Sequence, residues 1–393
     1  MNEAHITEEI IPPEKWQKAD KSRLDAELIT RPSYTYYQDA WQRLKKNRIA
    51  MLGLAVIIIM TLISIFWPLI SQYKYYEQNL DFSNIAPRFD IHKIDEGLYV
   101  HPAKGLRMIQ TSADGELIAA IEADEDDYIN KQKIFIIADK TVILDFGDKT
   151  YKVLDEAENE IPVFKTVSNK NYRLGSDNLG RDLLVRIASG ARISLAIGLI
   201  ATFVNFVIGV FYGGIAGYFG GWVDNLMIRI IDIISAVPLV LYIILLMVVI
   251  GPGFNTIVIA MGSVFWIGTA RLVRGQVLSL KSEDYIQAAR AIGVSNMQIL
   301  SRHLIPNTIG PIIVSLTFMV PEAIFTEAFL SFIGLGIPAP SASWGTLCSN
   351  AVDGLRSHPY QLFFPAAALS VTILAFNFLG DGLRDALDPR LRK

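Results

Sequence analysis

Cysteine is nearly absent: Cys348 stands alone among 393 residues. That excludes a disulfide framework and any cysteine-built zinc cluster within the chain. A lone thiol in apolar surroundings reads first as packing rather than chemistry. A Gly-x-x-x-x-Gly-Lys-Ser/Thr loop is also missing, so the chain cannot cradle nucleotide phosphates by that device. Charge is scarce, at 19% of residues, where a globular chain carries about a quarter. The net charge of -3 gives no attraction to nucleic acid. No nucleophile–base cluster and no metal motif appears, which leaves enzymatic function unsupported.

Apolar residues are what the sequence has, at 51%, and they fall in long runs. The first 48 residues are polar. The run Ile49 to Ile70 then exceeds a signal-peptide core and reads as an uncleaved anchor. By the twenty-residue criterion about six spans are expected. The other five lie near Ile193–Phe219, Met227–Ile250, Thr256–Leu272, Ile309–Ile333 and Leu362–Leu379. Gly251 to Asn255 supplies a tight turn between the third and fourth. The expected fold is an all-α polytopic membrane protein with a β-rich extracytoplasmic insert. Its segments are a polar segment 1–48, the first span 49–70, the insert 71–189, a five-helix core 190–380 and a tail 381–393.

Basic residues set the orientation. Lys45, Lys46 and Arg48 abut the first span. Arg271, Arg274, Lys281, Arg290 and Arg302 lie between the fourth and fifth, and Arg384, Arg390, Arg392 and Lys393 follow the sixth. Six spans put all three groups on one side, the cytoplasmic one, with both termini there. In the outer stretch acidic residues outnumber basic ones. It reads as strands over Met108–Thr111, Leu117–Ile121, Ile134–Ala138, Val142–Phe146 and Tyr151–Leu154, with turns at Asp114-Gly115 and Gly147-Asp148. The run Asp124 to Asp127 lacks the ligand spacing of a calcium loop, so it reads as a solvated loop.

The stretch 275–307 carries most information. Ser282, Glu283 and Asp284 form a helix start, with acids at the positive end of the dipole. Tyr285, Gln287, Ala288, Ala289, Ile292 and Gly293 follow, with Ala288, Ala289, Ile292 and Gly293 assigned to one small-residue face that another protein can approach closely. The plainer alternative is an amphipathic helix on lipid headgroups, which this weakly apolar face serves poorly. Pro306 is expected to turn the chain into the fifth span.

The Ala288-Ala289 pair, Gly293 and Pro306 at these spacings resemble the coupling loop of ATP-binding-cassette import permeases. Gln287 replaces the Glu that usually opens that pattern, and His303 with Ile305 points to the dipeptide, oligopeptide and nickel branch. Leu174 to Asp182, Phe329 to Gly336, Pro340 to Gly345, Asn377 to Arg390 and Trp41 to Gly53 are similar to its C-type, oligopeptide permease C-like members. The resemblance spans nearly everything except the first thirty or so residues and the insert. It implies a type I importer permease in the cell membrane, forming half of a pathway with a second, homologous permease subunit. Two ATP-binding subunits, holding ATP and Mg, would power it. An extracytoplasmic substrate-binding (lipo)protein would deliver peptides, or alternatively nickel chelates or another small solute. This chain itself would hold no cofactor and no metal.

Ionisable residues inside spans are costly there. Arg229 and Asp232, three apart, are expected to form a structural ion pair. Glu322 and Glu327 either line a polar path that attracts a peptide's amino terminus or bond to neighbouring helices. Pro321 is expected to kink their helix. A receptor reading lacks any cytoplasmic signalling domain, and a proton-coupled carrier would show inverted repeats that are not evident. The insert, at the mouth of the path, either docks the binding protein or shields the mouth.

Overall fold

The computed structural model describes residues 35–147 and 151–388. Residues 1–34, Asp148, and the basic residues Arg390, Arg392 and Lys393 therefore lie outside the described part. Among the described residues five helices are long and apolar enough to cross a membrane, or six if one sharply bent pair counts as a span.

The chain enters through a short helix, α1 (Tyr36–Lys46), and passes at Asn47 into α2 (Arg48–Ile70). Asn47 caps the second helix by accepting from the Ala50 amide at 3.1 Å. Pro68 sits inside α2 and has no N–H to offer the carbonyl four residues back, that of Ser64. Arg192 from the next helix supplies the missing donor: its guanidinium reaches Ser64 O at 3.2 Å and Ile65 O at 3.2 Å. A costly intramembrane cation is thereby satisfied by the carbonyl that proline leaves open.

The next span, α3 (Leu183–Phe219), is longer than expected and begins at Leu183, because Asp182 caps it by accepting from the amides of Leu184 and Val185. Gly209, Gly213 and Gly217 repeat at four-residue intervals on this helix. A side chain at each would collide with Thr269, Ala270 or the Arg274 carbonyl of α7 (Trp266–Leu280). The two helices pack at backbone contact, as small-residue seams allow.

The third span departs from expectation. Instead of one helix over Met227–Ile250, the chain forms α4 (Gly221–Ser235) and α5 (Leu239–Ile250), bent by 79°. Pro238 is the cause. It removes a helical donor and disfavours the α conformation at Val237. The turn 251–253 then leads into α6 (Phe254–Val264), which runs on through α7.

Beyond α7 comes α8 (Asp284–Ala291). The chain then passes through α9 (Asn296–Gln298) and a π-helical stretch, Ile299–Leu304, into α10 (Ile305–Leu330). The expected turn at Pro306 does not occur. Pro306 opens α10 within a helical run that is continuous from Asn296 to Leu335. The wider π turn just before it lets a helix proceed through a residue that cannot donate. A short helix, α11 (Trp344–Ala351), and a final span, α12 (Tyr360–Leu387), complete the order.

The insert is a two-sheet sandwich. One sheet has the order β4-β3-β2-β1-β9, from β1 (Arg88–Asp95), β2 (Leu98–Ala103), β3 (Arg107–Thr111), β4 (Leu117–Ile121) and β9 (Val163–Ser168). The other is β5 (Glu125–Asp127), β6 (Gln132–Ile137), β7 (Lys140–Asp145) and β8 (Lys152–Leu154), in that order. Leu98, Val100 and Met108 of the first pack on Phe135, Val142, Leu144 and Val153 of the second. Gly115, at φ +89°, makes the expected hairpin turn. The strands β1, β2, β5 and β9 are not evident in the sequence: β1 and β9 carry charged residues, β2 contains His101 and Pro102, and β5 is formed by the acidic run 125–127 that reads as a solvated loop.

The insert does not hang loosely. Tyr360 Oη donates to Ser176 O at 2.9 Å, and Gln361 Nε2 donates to Asn84 Oδ1 at 2.9 Å and to Ser176 O at 3.0 Å. Beneath it, Asp177 is 2.7 Å from Arg181 and 3.1 Å from Arg186. These contacts tie the base of the insert to α3 and α12. The face opposite the insert gathers α1, α8 and the end of α12.

Candidate functional site

The site is built on α8. Lys281 ends α7, and its Nζ donates to Gly217 O at 3.0 Å, which fixes where the loop leaves the bundle. The start of α8 lies one residue later than expected. Glu283, not Ser282, takes the capping position, while Ser282 Oγ donates back to Ser279 O at 3.0 Å. Gln287 Nε2 reaches the Lys281 carbonyl at 3.3 Å. Its amide folds the helix against the preceding turn, a bond a Glu at this place could not donate.

Ile286 and Ala289 point inward and are buried among Val210, Val277, Ile299 and Leu304. The expected single face of Ala288, Ala289, Ile292 and Gly293 is therefore split. Neighbours on a helix are about 100° apart, and the boundary between inside and outside falls between Ala288 and Ala289. The outward stripe is Tyr285, Ala288 and Ile292, with Ile292 81% exposed.

Gly293 has a different task from the one its size implies. It adopts φ +83°, and a side chain there would meet nothing within 4 Å. Its amide donates to Arg290 O at 3.0 Å, while the Val294 amide donates to Ala289 O at 3.1 Å. This pair of bonds is the Schellman arrangement, in which the left-handed residue just past the helix is usually Gly. The helix stops at Ile292 because of that backbone, so the apolar Ile292 side chain is presented at its tip. Arg290 lies over the Tyr218 ring at 5.4 Å, and Tyr218 Oη donates to Asn296 Oδ1 at 2.7 Å. The exit of the loop is thus pinned to α3. Asn307 Nδ2 donates to His303 O at 2.7 Å and reaches Tyr285 Oη at 3.4 Å, closing the loop onto the start of α10. Pro306 is exposed on the wall of a cavity of about 780 Å³ that Gln276, Asn307 and Arg384 also line.

The charged residues of the spans are arranged differently from the sequence expectation. Arg229 and Asp232 do not form the expected pair. Asp232 lies 3.3 Å from Arg271 of α7, and Asp224 takes Arg274 at 2.5 and 2.6 Å. Two ion pairs therefore bridge α4 and α7. Three-residue spacing along one helix missed them because the partners come from a helix some forty to fifty positions away. Glu327 is fully buried and lines no path in this conformation. Ser194 Oγ donates to one of its carboxylate oxygens at 3.0 Å and Ser331 Oγ to the other at 2.7 Å. Ser194 Oγ also accepts from the Trp344 amide at 3.2 Å, so the knot joins α3, α10 and α11. Glu322 faces the other way, onto a second cavity of about 540 Å³ at the break between α4 and α5.

A family model described as binding-protein-dependent transport system inner membrane component matches residues 206–393. A second, the N-terminal TM domain of oligopeptide transport permease C, matches residues 35–87. The dipeptide transport system permease protein DppC of Bacillus subtilis (strain 168) is 38% identical over 384 residues, covering 97% of this chain and 94% of its own length. The oligopeptide transport system permease protein OppC of the same organism is 38% identical, covering 98% and 99%. OppC of Escherichia coli (strain K12) is 47% identical over 221 residues, covering 56% and 73%. Among solved structures, a chain of the inward-facing MetNI methionine ABC transporter aligns with TM-score 0.42 at 19% identity, over 52% of this chain and 96% of that one. The sandwich strands lie outside both family models but within the length shared with the Bacillus subtilis relatives.

Proposed function

Because the chain belongs to the family of binding-protein-dependent transport system inner membrane components, in the oligopeptide permease C group, we propose that α8 is the element through which it receives work from an ATPase partner. The chain is a permease subunit of an ATP-binding-cassette importer, whose ATPase activity resides in separate subunits. Its substrates are peptides, as for its relatives DppC and OppC. ATP and Mg belong to the ATPase partners.

One observation carries the reading. Tyr285, Ala288 and Ile292 form an outward stripe on a helix whose other face and both ends are fastened to the bundle. An outward stripe alone would be a surface feature. A stripe held this firmly transmits displacement, because a push on it must move α3, α7 and α10 together. The small Ala288 lets a partner groove approach, and Tyr285 and Ile292 fill it. The basic residues Lys45, Lys46, Arg48, Lys281, Arg290, Arg302 and Arg384 gather at this end, which is the cytoplasmic one by the charge rule. Both termini then lie inside and the insert outside. There it stands over the mouth of the pathway, where an extracytoplasmic binding protein delivers its load. A second permease subunit completes the pathway, with two ATP-binding subunits below.

The test is reconstitution of the chain with a homologous permease, the two ATPases and the binding protein in proteoliposomes. ATP-dependent accumulation of a labelled peptide is the expected result. An assembled complex that hydrolyses ATP but accumulates no peptide would overturn the reading.

A further inference from the structure

We propose that the cavity at the break between α4 and α5 is a subsite for a protonated primary amine, with Glu322 as its counter-ion. The proposal rests on the peptide-import reading and specifies which end of the peptide this chain recognises. The cavity is about 540 Å³, and its walls are largely apolar, with Pro238, Phe265, Leu272 and Met319 among them. Glu322 is the one carboxylate on its lining, and no Lys, Arg or His joins it. The nearby Arg271 is directed to Asp232 at 3.3 Å.

The backbone adds to the same sign of field. Pro238 has no N–H with which to continue α4; the amides of Ala236 and Val237 close the last turn onto the carbonyls of Asp232, Ile233 and Ile234, and α5 departs at 79°. Ser235, Val237 and Pro238 line the cavity, so the negative end of the α4 dipole opens onto it. Broken helices are tolerated inside a membrane where they line a cavity, and their carboxyl ends face cations. Counted along the helix from Ile305, Glu322 stands about 25 Å in at 1.5 Å per residue. That places the carboxylate deep within the span, not at an entrance.

A bare metal ion does not fit this arrangement. Hard cations require six or more oxygen ligands, and no cluster of three or more His, Cys, Asp or Glu able to hold a metal is found among the described residues. One carboxylate, the carboxyl end of a broken helix and apolar walls suit an ammonium group carried on an organic body. A peptide's free amino terminus has that chemistry. Glu327, five residues on, does not share the task, since serines already occupy both of its oxygens.

The experiment uses the complete transporter in proteoliposomes with trialanine and N-acetyl-trialanine as probes. The readout is the ratio of their uptake rates, so discrimination by the binding protein cancels between variants. Glu322→Gln is expected to lower the ratio about fivefold, the scale of a partly exposed ion pair, and Glu322→Asp to restore it. Ser235→Lys, which places a cation in the same cavity and leaves Glu322 intact, is expected to lower the ratio as well. If Glu322→Gln yields no functional complex, the Ser235→Lys result decides. A ratio unchanged in Glu322→Gln or in Ser235→Lys overturns the proposal, as does a ratio in Glu322→Asp as low as in Glu322→Gln. Uptake of neither probe by the wild-type complex would overturn the peptide reading itself, a distinguishable failure.

Discussion

Single residues decide whether α8 can act as a coupling element. Gly293 ends the helix at φ +83°, where a side chain costs about 1–2 kcal/mol even in open space. Gly293→Val should therefore fray the tip and displace Ile292 while leaving the spans folded. The expected outcome is peptide uptake reduced about tenfold with ATP hydrolysis retained, measured in the same vesicles. Equal loss of both would assign the residue to assembly. Glu327 makes the opposite kind of prediction. Glu327→Ala strips the acceptor from Ser194 and Ser331 and should cost on the order of 2–3 kcal/mol, read as loss of assembled complex in detergent. Glu327→Gln keeps an acceptor and should lose less. The sequence marked Gly293 and Glu327 as notable, but for reasons of size and of path lining. The actual causes are a local backbone cap at Gly293 and, for Glu327, a serine knot whose partner Ser194 lies more than a hundred residues away. Pro238 differs: the apolar run around it reads as one span, but its helix-breaking chemistry outweighs that run.

At the scale of elements, spans were readable wherever composition alone decides, as in α2 and α12. They were misread where proline or a π turn changes the path, as at α4–α5 and Pro306. The insert is half legible: β3, β4, β6 and β7 are short apolar runs bounded by turn residues, whereas β1 and β9 pair across a long sequence gap. That pairing sets Arg88 opposite Ser168, so the sandwich enters and leaves at adjacent points. A short Gly-Ser bridge replacing residues 89–167 should therefore leave the helices assembled. If the insert guides delivery, the affinity for the binding protein should fall at least severalfold in a surface-binding assay. Unaltered affinity and uptake would rule that role out. The sandwich also carries a proton-sensitive element. Burial pushes His101, whose ring lies tilted against Phe89 at 4.6 Å between centroids, down to about 4. Between the usual value of 6.5 and 4 the unfolded insert binds a proton that the folded insert refuses. Its stability should be fully present above pH 6.5 and fall as pH drops through that window, by on the order of 2 kcal/mol. Hydrogen exchange of β1 and β2, corrected for intrinsic rates, should rise between pH 7 and pH 5. The rise should flatten in His101→Phe, and a rise of equal size in that variant would remove His101 from the explanation.

For the whole molecule, the account links two ends. The sandwich is tied through Ser176, Tyr360 and Gln361 to the spans, and the spans are tied to α8 through Tyr218 against Arg290, Lys281 O against Gln287 and Asn307 against Tyr285. Between them the α3–α7 glycine seam and the Asp224–Arg274 pair make the central helices one body, so motion at α8 should reach the broken span. All of this depends on α8 meeting an ATPase through its outward stripe. The most direct measurement exploits the scarcity of cysteine. In a Cys348→Ser background, Ile292→Cys places a single thiol at the tip of α8, and its reaction with a water-soluble maleimide is timed in the isolated chain and in the complex with both ATPases. The account predicts labelling at least tenfold slower in the complex. Equal rates, with the ATPases still bound, would contradict it.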